Sequence, residues 1–225
     1  MQNPEEDRPL RPVTCPNCHE EFEADIVDAL HEGDAAVSKL FHGSFNLIHC
    51  NACGVEFRID TPVVFRNAER NLMIFFNPGL AKIPWRVAEK QMSEVIAAGI
   101  KDLPPELRPE FRLVFDMPAF VEKVAIALED LDDRALELLK IKLFRSEPGL
   151  NARTHRLLFD FTESGSDKLA FDLFSRRGGQ AERKIAIEKI TYDELVQAQE
   201  EDEPDLDLNE FFPGAWVAAE RHTGG

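Results

Sequence analysis

The pattern of apolar and polar positions predicts short strands and helices in the first part of the chain. Residues 22–30 begin with strand-like character, and Gly33-Asp34 offers a turn and an N-cap for a short helix over residues 35–41 that ends at Gly43. Residues 45–49 and 55–59 are predicted to be strands. A hairpin is predicted to follow, with strands at 63–65 and 72–76 joined by the polar turn 67–71. Its apolar residues occupy both parities, so we expect both faces to be covered.

A helix is predicted over residues 84–100, because its apolar residues recur at helical spacing. They are Trp85, Ala88, Met92, Val95 and Ile96. The Pro-rich stretch 103–109 that follows is the best candidate for a domain boundary.

Beyond that boundary the pattern predicts a strand, two helices and then three more strands. Phe111, Leu113 and Phe115 alternate as a strand, Pro118 opens one helix, and Asp132-Asp133 begins another. Alternating residues at 157–161, 169–173 and 185–187, separated by turn-rich segments, predict an antiparallel meander. Thr191 and Glu194 have the spacing of a capping box, which predicts a helix from Tyr192 with a hydrophobic staple between Ile190 and Leu195.

The last part of the chain combines an acidic run with a return of apolar residues. Residues 200–205 should be solvated, because their charges repel each other. The apolar residues after them are too few to form a core of their own: Leu206, Leu208, Phe211, Phe212, Trp216 and Val217. This segment either docks on the body of the chain or is a short motif that binds a partner.

Together these elements predict an α+β protein in which a zinc-ribbon-like β module with an inserted short helix precedes an α+β domain with an antiparallel meander. The predicted divisions are a flexible tail at 1–14, the four-cysteine module at 15–80, a helix and Pro-rich linker at 81–109, the α+β domain at 110–199, and an acidic tail with an apolar cluster at 200–225.

The distribution of charge argues against a broad nucleic-acid-binding surface. The 225 residues carry a net charge of −16, whereas phosphate binding ordinarily needs a basic face. Residues 140–189 are nevertheless locally basic, with eleven Lys and Arg against seven Asp and Glu, and residues 190–225 are strongly acidic. No apolar run approaches the length of a membrane span, and the first fourteen residues do not have the pattern of a secretory signal, so we expect a cytoplasmic protein.

The most specific feature of the sequence is its four cysteines. They form two Cys-x-x-Cys motifs, Cys15 with Cys18 and Cys50 with Cys53. Two such knuckles can supply the four thiolate ligands of a structural Zn²⁺ site. Disulfides, a redox Cys-x-x-Cys pair and an iron–sulfur cluster are the alternatives. The 31 residues between Cys18 and Cys50 require a folded insertion between the knuckles.

Other residues with chemical potential have simpler interpretations. His19 and His49 flank cysteines, but four thiolates already complete a zinc site, so both are expected to lie outside the ligand set. Asp130, Asp132 and Asp133 resemble a carboxylate cluster, yet acidic residues are also typical of a helix N-terminus. The Arg176-Arg177-Gly178-Gly179 turn resembles a phosphate contact but is expected to be solvated. The chain has no phosphate-binding loop, zinc-protease motif or nucleophile elbow, and no catalytic residue is predicted.

The sequence resembles the CpXC domain family of bacteria and archaea, which is named for two Cys-Pro-x-Cys motifs. The resemblance rests on TCPNCHEEFEADIVDAL, on HGSFNLIHCNACGVEFRIDTPVVFRNAERNLMIFFNP and on RLVFDMPAFVEKVAIALEDLDDRALELLK, and it covers roughly residues 13–145. The chain has Asn51 where the family usually has Pro. The resemblance implies a zinc-ribbon-like module and carries over no catalytic residues.

The leading hypothesis is a zinc-binding, non-enzymatic adaptor that uses a structural four-cysteine site and an apolar C-terminal docking segment to bind another protein. A nucleic-acid-associated regulator whose basic segment 140–189 is masked by the acidic tail is one alternative. A redox sensor that releases zinc when its thiolates are oxidised is the other. Nothing in the sequence sets an oligomeric state.

Overall fold

A computed structural model of the chain describes residues 8–200 and 207–223 and shows the predicted mixture of helices and small sheets. The strands are β1 (Arg11–Thr14), β2 (Glu21–Ala24), β3 (Ala29–His31), β4 (Leu47–His49), β5 (Glu56–Arg58), β6 (Val63–Asn67), β7 (Leu72–Phe76), β8 (Glu110–Val114), β9 (His155–Phe159), β10 (Lys168–Ser175) and β11 (Arg183–Glu188). The helices are α1 (Ala35–Phe41), α2 (Trp85–Ile100), α3 (Met117–Leu128), α4 (Asp133–Ser146), α5 (Ile190–Glu200), α6 (Leu208–Phe211) and α7 (Glu220–Thr223). Two 3-10 turns, Pro78–Lys82 and Pro105–Leu107, flank α2.

Two separate antiparallel hairpins, β1–β2 and β4–β5, carry the cysteine knuckles. β1 begins at Arg11, so the predicted flexible tail was too long: residues 11–14 pair with residues 21–24, and Val13 is buried. Residues 1–7 of that tail lie outside the described residues. The inserted helix α1 has the predicted bounds and is followed by Gly43 at φ +73°.

The central sheet has the strand order β3-β6-β7-β8. The predicted hairpin β6–β7 is confirmed, and β3 and β8 add to it in parallel orientation on either side. β8 follows the Pro-rich stretch 103–109, so the sheet crosses the predicted boundary between the modules at 15–80 and 110–199. The hairpin is buried on one face only, at Val63, Phe65, Ile74 and Phe76, while Met73 and Phe75 on the other face are half-buried. The second face is therefore only partly covered, and the expectation of two covered faces holds only in part.

The predicted meander is confirmed as the sheet β9-β10-β11. Helix α3 lies between the two sheets, where it contacts β7, β9 and α4. Helix α5 begins two residues earlier than predicted, because the backbone N–H groups of Tyr192 and Asp193 bond to the Lys189 carbonyl directly after β11. Thr191 and Glu194 are therefore inside the helix rather than a capping box, and Ile190 is 55% exposed, so it cannot form the staple.

The C-terminal segment, residues 207–223, packs against the body of the same chain. Leu208, Phe212 and Val217 belong to one core with α4 and the meander, and each is at most 1% exposed. The Leu113 N–H donates to the Ala215 carbonyl at 2.8 Å. The alternative of a free, partner-binding apolar motif is therefore wrong for these residues; Leu206 and most of the acidic run lie outside the described part of the chain.

A network of buried charges joins the central sheet to the helices. Arg112 on β8 donates two hydrogen bonds of 2.7 Å to Asp133 at the start of α4, and Lys123 on α3 donates to Asp133 at 2.8 Å. Burial raises the pKa of Asp133, but Arg112 and Lys123 outweigh burial and hold it far below its usual range. Asp132 is the N-cap of α4, as a helix N-terminal acid should be. Asp133 is likewise in the first turn of α4, as predicted, and it is in addition a buried ion-pair partner, which the sequence did not indicate.

Among the described residues, no helix is both long and apolar enough to cross a bilayer.

We predict that Asp133→Asn lowers the free energy of unfolding by about 3 kcal/mol, because it leaves Arg112 and Lys123 buried without their shared charge partner. Denaturant unfolding of the full chain would measure the change. Asp130→Asn is the matched control: the Asp130 side chain is 90% exposed, so its change should stay within about 0.5 kcal/mol. Equal effects of the two substitutions would contradict a structural role for the network.

Candidate metal centre

The two knuckles have the same backbone hydrogen-bond pattern. In the first, the Cys15 N–H donates to the Glu20 carbonyl at 2.9 Å and the His19 N–H donates to the Cys15 carbonyl at 3.0 Å. In the second, the Cys50 N–H donates to the Val55 carbonyl at 2.9 Å and the Gly54 N–H donates to the Cys50 carbonyl at 2.8 Å. Each hairpin therefore presents its two sulfurs from an equivalent turn.

Each turn closes through a residue with left-handed backbone geometry. Gly54, directly after the second knuckle, has φ +75°, and His19 has φ +62° at the equivalent position of the first. Side chains rarely adopt this conformation, although His does so more readily than most residues. This backbone role of His19 was missed, because a histidine beside a cysteine first suggests metal chemistry.

The four sulfurs converge on one point. The ligand atoms of Cys15, Cys18, Cys50 and Cys53 all lie within 4.8 Å of one another, and Sγ of Cys15 lies 3.7 Å from that of Cys53, as does Sγ of Cys18 from that of Cys50. In a tetrahedral site with metal–sulfur bonds of about 2.3 Å, the sulfurs are about 3.8 Å apart. A disulfide needs about 2.05 Å. The donor set therefore fits a four-thiolate metal centre.

The insertion between the knuckles is anchored by an asparagine that the sequence analysis did not single out. The Asn46 side chain accepts a hydrogen bond from the Val27 N–H and donates one to the Val27 carbonyl, both at 2.9 Å, and the Asn46 carbonyl accepts from the Ile59 N–H at 3.0 Å. This clamp closes the loop between residues 27 and 46. As a result, β4 and the second knuckle begin directly beside the first hairpin.

The knuckles rest on a very small apolar core. It contains three buried residues, Val13, Ala24 and Ile26, with Phe22, Ile48, Phe57 and Ile59 packed beside them. A core of this size stabilises little by itself, so small modules of this kind commonly depend on a bound metal.

The four thiols differ in their exposure to solvent and in their pKa. Cys15 and Cys50 are buried, whereas Cys18 and Cys53 are exposed. A hydrogen bond from the Asn17 side chain is the main cause that lowers the pKa of Cys53 to about 6. For Cys18, a backbone hydrogen bond at Glu20 lowers the pKa, but partial desolvation of the sulfur and hydrogen bonds with the three neighbouring thiols outweigh it and raise the pKa to about 12. The four cysteines can therefore bind a cation as thiolates. Without a cation, sulfurs this close to one another cannot all be deprotonated, and some stay protonated as thiols.

The remaining candidate residues lie elsewhere. His19 and His49 are exposed and do not belong to the cysteine group. Arg176 bonds to the carbonyls of Ala152 and His155 and pairs with Glu220 at 2.9 Å, so it serves the contacts of this chain. His222 stacks on Phe211 with ring centroids 4.1 Å apart.

A family model described as CpXC protein matches residues 13–140. The chain belongs to the CpXC family. The match includes both knuckles, the insertion, the central sheet and α3, while the meander and the C-terminal segment lie beyond it. No curated protein and no solved structure matches the sequence.

We predict that Gly54→Ala destabilises the metal-loaded protein by about 1 kcal/mol, because the new side chain must adopt left-handed geometry. No atom lies within 4 Å of the position of the added Cβ, so the effect should come from the backbone alone. Gly99→Ala, in helix α2 and equally uncrowded, should instead stabilise by up to about 1 kcal/mol. Thermal unfolding of both variants would test the pair, and two changes of the same sign would refute the backbone argument.

Proposed function

We propose that this CpXC protein is a non-enzymatic interaction protein that binds one structural Zn²⁺ through Cys15, Cys18, Cys50 and Cys53 and binds another protein through an exposed apolar face of helix α2. The observation that carries the interaction role is the exposure of Val95, which belongs to the apolar stripe at helical spacing along α2 but is 65% exposed.

A structural role for zinc follows from the donor set. Four thiolates complete a tetrahedral shell and leave no position for a reactive water. The sulfur spacing fits Zn²⁺, and the module around it has little core of its own. Zinc binding would therefore contribute most of the stability of the two hairpins.

Loss of one ligand should remove the metal and unfold the module. We predict one zinc per chain for the native protein and a large loss of zinc in Cys50→Ser, with increased hydrogen exchange in residues 11–24 and 47–58. Native mass spectrometry before and after a strong chelator would measure the metal. His49→Ala, beside Cys50 but outside the ligand set, should keep a full complement of zinc. Two disulfides without metal, or the mass of an iron–sulfur cluster, would overturn the assignment.

Some apolar side chains of helix α2 face the body of the protein, and others are exposed to solvent. Trp85, Met92 and Ile96 are half-buried on the side that faces the body. Val95 was predicted to lie with them but is 65% exposed, and Val87 is 46% exposed. The segment after the helix adds Leu103 and Leu107, which are 40% and 60% exposed. These four residues follow one another along residues 87–107, and exposed apolar residues that form a continuous patch are typical of a protein-binding surface.

The chemistry of this face indicates an apolar protein partner. The charged side chains of α2 are two basic and two acidic residues, Arg86, Lys90, Glu89 and Glu94, so they give the helix no net charge. Attraction should therefore come from burial of the valines and leucines. The C-terminal segment, which the sequence offered as the docking element, is buried in its own chain and is no longer the candidate.

Site-specific photo-crosslinking would test this face in cells. We predict that a crosslinking residue at Val95 captures one protein, identified by mass spectrometry, and that Val87→Glu abolishes the adduct. The same residue placed at Lys90, an exposed polar position of the same helix, is the control. If the adduct contains a second copy of this chain, the α2 face mediates self-association and not the binding of a different protein. Equal yields at the two positions, or none at Val95, would refute the proposal.

The two alternatives have unequal support. Six of the eleven Lys and Arg residues in segment 140–189 pair with carboxylates of this chain, which disfavours a phosphate-binding surface: Lys140, Arg156, Arg176, Arg183, Lys184 and Lys189. Exposure of Cys18 and Cys53 favours the redox-sensor alternative somewhat more. Retention of zinc under mild peroxide would exclude it.

A further inference from the structure

A cavity of about 340 Å³ lies where β8 ends and α3 begins, apart from the cysteine centre. Its walls come from α3, α4, β9, the start of α2 and the C-terminal segment. Small-molecule sites in proteins commonly have volumes of this order and are lined by apolar groups with a few polar ones. This cavity differs in having eight ionisable side chains, which form an inner and an outer group.

The inner group consists of two lysines and two glutamates from α3 and α4. Lys140 lies 2.7 Å from Glu122 and 2.9 Å from Glu137, and Lys123 lies 3.0 Å from Glu137. All four side chains are between 3% and 5% exposed. Burial lowers the pKa of Lys140, but the two carboxylates outweigh it and raise the pKa, so this ammonium stays charged.

The glutamates of the inner group also have structural contacts, since Glu122 accepts from the Phe159 N–H and Glu137 accepts from the Ala219 N–H at 2.8 Å. These contacts do not require the two buried lysines beside them. A buried ion network is often no more stabilising than well-packed apolar residues of similar volume, because desolvation offsets the attraction. Buried ionisable groups that line a cavity are instead typical of binding sites. Their position in the wall of a cavity therefore points to a ligand.

Both lysines have donor capacity left for such a ligand. An ammonium group has three N–H donors. Lys140 has Glu122 and Glu137 as carboxylate partners, and Lys123 has Glu137 and Asp133, at 2.8 Å. One N–H on each lysine is thus without a carboxylate partner, and both lysines line the cavity. A ligand that supplies oxygen acceptors would satisfy them.

The outer group balances the charge of the cavity. It consists of Asp116, Arg156, Arg176 and Glu220, in which Asp116 pairs with Arg156 and Glu220 pairs with Arg176, each at 2.9 Å. With the inner group, the lining has four basic and four acidic side chains. Burial raises the pKa of Glu122, and the Lys140 ammonium at 2.7 Å opposes this shift. A ligand with a net charge would leave one charge uncompensated beside the buried inner group, whereas a ligand with one charge of each sign would not.

The apolar part of the lining includes three aromatic residues among aliphatic ones. The rings of Trp85 and Trp216 lie 4.6 Å apart, and Phe115 lies 5.9 Å from Trp216. All three line the cavity, so they could cover the apolar portion of a small molecule.

We propose that this cavity binds a small zwitterion with one carboxylate and one ammonium group, of the free α-amino acid class. The ligand carboxylate would accept from Lys123 and Lys140 or from the arginines, and its ammonium group would donate to the carboxylates of the lining. Its side chain would contact the aromatic residues.

The chain's own fluorescence offers a direct assay, because Trp85 and Trp216 are its two tryptophans and both line the cavity. Glycine, L-leucine and L-phenylalanine would be titrated into the zinc-loaded full chain. Two analogues of leucine isolate its charges: 4-methylpentanoate lacks the ammonium group and 3-methylbutylamine lacks the carboxylate. We expect saturable binding of at least one amino acid, and binding of each leucine analogue at least tenfold weaker than that of leucine if leucine binds.

Substitutions of two partly exposed residues that line the cavity test whether the ligand binds there. Arg176→Gln and Glu220→Gln should each weaken amino-acid binding at least tenfold, since the two side chains are only 34% and 30% exposed and face the same cavity. Arg183→Gln is the control, because Arg183 is also paired and partly exposed but does not line the cavity. Circular dichroism would verify that the variants keep the fold.

Three outcomes would overturn the proposal. They are the absence of binding by all three amino acids, binding of 4-methylpentanoate or inorganic phosphate as tight as that of the amino acids, and equal loss of affinity in Arg183→Gln and in the two cavity variants. None of these three outcomes tests zinc binding or the α2 face. The proposed ligand site can therefore be refuted without affecting the proposed function.

Discussion

The fold depends on a charge interaction that links the central sheet to helix α4. It consists of the paired hydrogen bonds between Arg112 and Asp133. Arg112 belongs to the last strand of the central sheet, and Asp133 begins the helix on which the meander and the C-terminal segment pack. Lys123 extends the interaction to α3, which lies between the two sheets. A buried ion of this kind is costly unless its partners are placed correctly. The network therefore penalises any arrangement of the sheet and the helix other than the observed one, which is a constraint on uniqueness more than a gain in stability.

The cysteine module is held by a different principle. Its apolar core is minimal, and its geometry comes from two equivalent turns and the Asn46 clamp on Val27. Such a module is specified by hydrogen bonds and has four thiols placed to bind a cation, while the rest of the chain is specified by burial and ion pairs. The family match covers the module and the central sheet together, in agreement with the parallel pairing of β3 with β6, which ties the insertion to the sheet.

Local patterns in the sequence predicted most elements, and long-range contacts account for the failures. Helix α1, the hairpin β6–β7, the meander and the four-cysteine cluster follow from turn residues, alternation and spacing, all of which act within a few residues. The parallel partner of β7 could not be predicted, because β8 is separated from it by a helix and a Pro-rich stretch. Asp133 has the sequence context of a helix N-terminus, and only its distant partners make it a buried ion. Val95 obeys the helical period, but the period does not say how much of a helix the body will cover.

The order of the elements along the chain has a consequence for synthesis. During translation the N-terminal part of a chain emerges and can fold first. Residues 15–53 would leave the ribosome long before residues 207–223, whose Val217 and Ala215 complete the core and pair with β8. The two knuckles use mainly neighbouring residues, so they can acquire their cation on a nascent chain whose second core does not yet exist. Metal binding and final closure of the protein would then be separate events in time, the first possible once residues 15–53 have emerged and the second only once residues 207–223 have been synthesised.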